Sequence, residues 1–102
     1  MKGLINYLAR INQIINLVSH ETGISVDKIL SRSRKAPVVH ARQISMWLCR
    51  WNSKSSLQVI AYLHGCTNHA NVIHGCNQIE NLRSVDPAFK AFTNKLKDII
   101  NG

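Results

Sequence analysis

The sequence predicts an all-α fold, a compact bundle of about six helices that contains a helix-turn-helix at about residues 56–82. Three observations predict it. Apolar residues recur at steps of three and four in successive segments. Gly23, Pro37, Gly65 and Pro87 stand at the boundaries between those segments. No run alternates apolar and polar residues convincingly enough to make a strand. A chain of 102 residues has room for one domain, 1–102, with one modest core.

Leu4, Leu8, Ile11, Ile15 and Val18 share one face of a first helix over about residues 3–20, which Gly23 can end. Ser25 can cap a short second helix to about Ser31, with Val26, Ile29 and Leu30 facing inward. Residues 32–37, Arg-Ser-Arg-Lys-Ala-Pro, lack a hydrophobic period. They read as a basic loop, because Pro37 biases Ala36 away from helical angles. A helix near 40–52 carries Ile44, Trp47, Leu48 and Trp51 at the spacing of a buried stripe. Ser55-Ser56-Leu57-Gln58 has capping-box spacing and opens a helix with Leu57, Ile60, Ala61 and Leu63 on its apolar side. After a turn at Gly65, Thr67 caps a helix to about Leu82, whose Val72, Ile73, Cys76 and Ile79 face the core. Asp86-Pro87 supplies an N-cap and a first-turn proline for a last helix packed through Phe89, Phe92, Leu96 and Ile99.

The charge balance points to a polyanionic partner. The chain has 13 Lys and Arg against 5 Asp and Glu, a net +8. No acid occurs between Lys28 and Ile79, and the first half of that stretch holds Lys28, Arg32, Arg34, Lys35, Arg42, Arg50 and Lys54. Such segregation suits a face laid on phosphates, where each neutralised phosphate releases condensed counterions. Five acids supply few general bases, so no catalytic activity is expected. Three cysteines, an odd number without a signal-peptide core, suggest a reduced cytoplasmic setting near the nucleoid.

Two short helices around a glycine turn, the second polar at its start and apolar on its back, match a helix-turn-helix. The second helix would present Asn68, His69, Ala70 and Asn71 to base edges in a major groove. Asn can pair bidentately with adenine, His can donate or accept one bond, and Ala70 can touch a thymine methyl. His74, one turn on, is open to two roles, DNA contact or a structural bond to backbone. His64, Cys66, His69, His74 and Cys76 invite a zinc reading. The spacing opposes it, because seven helical residues separate His69 from Cys76 by about 10 Å. No metal or other cofactor is expected.

From about Gly23 to Leu82 the chain resembles the C-terminal DNA-binding domain of the bacterial chromosomal replication initiator DnaA, a Trp-repressor-like helix-turn-helix. The resemblance rests on Val26-Asp27-Lys28-Ile29-Leu30-Ser31, on Ala41-Arg42-Gln43-Ile44, and on the run from Asn68 to Cys76. The family signature reads Arg-Asp-His-Thr-Thr-Val-hydrophobic-His-Ala. His69, Val72 and His74 agree with it, and Thr67, Asn68, Ala70 and Asn71 depart. The resemblance implies base contacts from Asn68, His69, Ala70 and Asn71 and minor-groove entry by Arg34. It also implies phosphate contacts from Arg42, Gln43 and Arg50. Position and chemistry add Arg32, Lys35, Lys54, Ser56 and Thr67 to the phosphate set.

The implied partner is double-stranded DNA, with other replication proteins beside it, in replication initiation or its regulation. No Gly-x-x-x-x-Gly-Lys motif is present, so no nucleotide is expected, and no apolar run suggests a membrane. The alternative reading is a protein–protein adaptor that turns the same helix-turn-helix toward an acidic partner.

Overall fold

A computed structural model describes the backbone of residues 2–102 and the side chains from residue 8 onward. Six helices are present among the described residues: α1 Lys2–Thr22, α2 Val26–Ile29, α3 Ala36–Asn52, α4 Leu57–Leu63, α5 Ala70–Val85 and α6 Pro87–Asn101. No strand occurs among the described residues. The expected inward position of Leu4 lies outside the described side chains.

Helix α3 runs through the middle of the bundle and packs against all five other helices. Its residues Ile44 to Cys49 are buried without a break, so this segment is covered on every side. The expected single stripe is therefore corrected at one end. Trp47 is fully buried, but Trp51 lies 58 % exposed where α3 leaves the bundle. Ile11, Ile14, Ile15 and Val18 of α1, Ile60 and Ala61 of α4, Val72, Cys76 and Ile79 of α5, and Leu96 of α6 complete the core.

Two other apolar positions turn outward. Ile73 and Ile99 are exposed, whereas both were expected to pack. On α6 the inward place is taken by Ile100, four residues after Leu96, because the packing stripe drifts around the axis. Lys97 of α6 is only half-exposed and lies 5.8 Å from the centre of the Trp47 ring.

The helix ends follow local chemistry. Gly23 takes a left-handed φ of 76°, and its N–H donates to Ser19 O, closing α1. Ser25 caps α2 by accepting from Lys28 N. Asp86 caps α6 by accepting from Phe89 N, and Pro87 occupies the first turn. Three expectations are corrected. The basic loop ends at Lys35, since Ala36 and Pro37 already belong to α3. A first-turn N–H has no intrahelical partner, so proline fits there. Ser56, not Ser55, caps α4 by accepting from Val59 N. Thr67 does not cap α5: His69 holds the N-cap position without a side-chain bond, and just before it the Asn68 side chain accepts from Ala70 N at 2.8 Å. No described helix is long and apolar enough to cross a membrane.

Candidate nucleic-acid interface

The site is built on the turn between α4 and α5. His64 closes α4, Gly65 follows with φ 76°, and the chain re-enters helix at Ala70. An L-residue at Gly65 would be strained by that φ, and its Cβ would overlap the main-chain oxygen of Leu30. The turn of the helix-turn-helix is thereby seated on the end of α2, where the basic loop begins.

A buried polar pair fixes the same turn from the other side. Ser45 Oγ lies 2.7 Å from His64 Nε2, and His64 Nδ1 lies 2.8 Å from Ile60 O. Because a carbonyl only accepts, Nδ1 carries the proton, and Nε2 accepts from the Ser45 hydroxyl. Burial pulls the imidazole down to about 4, against a smaller upward effect of the Ile60 bond. Both ring nitrogens are thus engaged, and His64 is withdrawn from metal chemistry. Sequence reasoning missed this pair. Ser45 and His64 are nineteen residues apart on different helices, and nothing local connects them.

The basic loop is held from inside by Arg42. Its Nε donates to Ile29 O at 2.8 Å, and one terminal nitrogen donates to Ser31 O at 2.6 Å and Ser33 O at 3.2 Å. Ser31 and Ser33 are half-buried, while Arg32, Arg34 and Lys35 point to solvent. Serine turns reinforce this alternation, Ser31 Oγ accepting from Ser33 N and Ser33 Oγ from Lys35 N. Expected from the resemblance as a phosphate contact, Arg42 is in this structure first a clamp on loop carbonyls.

A groove of about 440 Å³ opens between this loop and α5. Of the expected site residues it gathers Arg32, Arg34, Arg42, Gln43, Thr67 and Asn71, and His74 also lines it. His74 is exposed there and makes no hydrogen bond among the described residues, so it is not a structural histidine. Asn68, His69 and Ala70 are exposed at the start of α5 and outside this groove.

Lys35, Arg50, Lys54 and Ser56 also lie outside the groove. Lys35 stands at the N-cap of α3, and the other three follow one another from the end of α3 to the start of α4. The Arg50 guanidinium stacks 5.2 Å from the centre of the exposed Trp51 ring, which restrains it at the surface. The Ser56 hydroxyl is engaged as the α4 cap. Cys49, Cys66 and Cys76 are free, and burial pushes all three up, so they stay protonated thiols.

An all-helical bundle with a short helix, a glycine turn seated on a basic loop, and a following helix with polar residues at its exposed start defines a helix-turn-helix domain. The chain belongs to the bacterial dnaA protein helix-turn-helix family, whose model matches residues 11–79. It is 32 % identical over 83 residues to the chromosomal replication initiator protein DnaA of Porphyromonas gingivalis, covering 81 % of this chain and 18 % of the relative. With the protein of the same name from Lachnoclostridium phytofermentans it shares 38 % over 77 residues, covering 76 % and 17 %. A solved structure described as a DNA replication initiation factor superposes with a TM-score of 0.83 at 29 % identity, covering 92 % of this chain and 29 % of that one. The chain therefore spans less than a fifth of the length of these two curated relatives.

Proposed function

We propose that this domain binds double-stranded DNA sequence-specifically and acts in replication initiation or its regulation. The N-terminal part of α5 enters the major groove, and Arg34 enters the neighbouring minor groove. Narrow A·T-rich minor grooves attract such a guanidinium. Arg32, Lys35, Gln43, Arg50, Lys54, Ser56 and Thr67 contact the phosphates, with any remaining Arg42 donor beside them. The observation that carries this reading is the seating of the α4–α5 turn on the base of the loop, which holds Arg34 and α5 on two sides of one groove. Family membership and the initiator names of the relatives support it.

The test is selection from a randomised duplex pool at about 0.15 M salt, where weak nonspecific attraction is partly screened. Enrichment of one site supports the reading. Binding without enrichment overturns sequence specificity and favours an acidic protein partner for the same face.

A further inference from the structure

We infer that the start of α5 reads adenine–thymine pairs in the major groove, with Ile73 and Ala70 on thymine methyls and Asn71 on adenine. This deepens the proposal above and rests on it. The observation is the exposure of Ile73, which is 38 % accessible although its neighbour Val72 and, three and six residues further on, Cys76 and Ile79 are buried on the same helix. Ala70 and Ile73 are three residues apart, so they form one apolar patch on the exposed surface of α5. A lone exposed isoleucine needs no explanation, but this one adjoins the residues that lead α5 into the groove. The C5 methyl of thymine is the apolar feature that a major groove offers such a patch.

Asn71 lies toward the other flank of α5 and lines the groove opposite Arg34. Its backbone N–H donates to Asn68 O, but its side-chain amide makes no hydrogen bond among the described residues, so both a donor and an acceptor are free for N7 and N6 of adenine. Asn68 differs, because its oxygen already accepts from Ala70 N, which ties the side chain to the backbone at the start of α5.

The helix also lacks the groups that read G·C most strongly. Its one Arg or Lys is Arg83, which donates to Thr93 Oγ1 at 2.6 Å and Asn94 Oδ1 at 3.0 Å and stacks on Trp47. That guanidinium is turned away from the start of the helix and is not available for guanine. Its one acid, Glu80, accepts from Trp47 Nε1 and is not available for the cytosine amine. The donors that remain near the start of the helix, on His69 and on the side-chain amides of Asn68 and Asn71, are neutral and lack the charged pairing with guanine that Arg or Lys supplies.

The experiment takes the site enriched from the random pool and removes single atoms from it. Thymines are replaced one at a time by deoxyuridine, which lacks the C5 methyl, and adenines by 7-deazaadenine, which lacks N7. For the unaltered domain, one or two uracil substitutions are expected to weaken binding by about threefold to tenfold. One deazaadenine substitution is expected to weaken it about fivefold to a hundredfold. In Ile73→Ser the uracil effect should vanish at the thymine that Ile73 meets, and in Asn71→Ala the deaza effect should vanish, with melting curves confirming that both variants are folded. An enriched site that is insensitive to every such change, or that carries G·C pairs throughout the α5 contact, overturns this inference and leaves sequence-specific binding standing. Failure to enrich any site overturns both.

Discussion

Gly65 in the turn of the helix-turn-helix packs against the main-chain carbonyl of Leu30, leaving no space for a side chain. Through this contact the turn before α5 and the base of the basic loop are positioned against each other. Gly65→Ala should therefore lose stability twice, through a left-handed φ and through overlap with a backbone atom that cannot rotate away. A loss of about 2–4 kcal/mol is expected. Gly23 has the same φ of 76° with open space around its α-carbon, so Gly23→Ala should cost only about 1 kcal/mol. Urea titration of both variants checks the contact, and equal losses would show that Gly65 matters only for its φ.

The buried Ser45–His64 pair makes stability depend on pH. In the unfolded chain His64 takes up a proton as pH falls below its ordinary value of 6.5, whereas in the fold it does so only near 4. The unfolded state binds more protons between those values, so stability is complete above about pH 6.5 and falls toward pH 4. The loss should reach about 3 kcal/mol at most. The stability gap between the wild type and His64→Gln should narrow over that range in denaturant melts. A gap independent of pH would contradict the buried neutral imidazole.

Arg42 and Arg50 both belong to the expected phosphate set, but the structure gives them different tasks. Arg42→Lys keeps the charge yet cannot reach three carbonyls in one plane. It should lower DNA affinity about tenfold and speed amide exchange in residues 31–35. Arg50→Lys keeps a point charge at an exposed position and should change affinity by less than about threefold. Equal effects of the two substitutions would mean that the Arg42 clamp is not what holds the loop.

Charge removal and base reading should separate cleanly. Arg50→Ala should weaken binding to all duplexes alike and reduce the salt slope by about 0.9. His69→Ala should relax preference at one or two base pairs, worth about 1–3 kcal/mol, with little change in that slope. Binding measured on specific and scrambled duplexes at several salt concentrations distinguishes them. An unchanged preference in His69→Ala would remove the start of α5 from the major groove.

Much of the architecture was readable before any coordinates. Gly23 ends α1, Ser25 caps α2, and Asp86 with Pro87 opens α6, because each of these depends on residues within four positions of one another. The segregated charge and the run from Asn68 to His74 are likewise written along the chain. Periodicity located the helices for the same reason, since a buried stripe repeats with the helical turn.

Tertiary packing decided the rest. Trp51, Ile73 and Ile99 fit their helical stripes by spacing and are nevertheless exposed, because burial depends on where a neighbouring helix stops. Arg42 has the chemistry of a phosphate ligand, and only the approach of α2 and the loop to α3 turns it onto three carbonyls. Ser45 and His64 are ordinary polar residues in sequence and become a buried pair when α4 folds against α3. A local pattern records what a residue offers to its own helix, and the partner it meets is set by contacts between segments far apart in the chain.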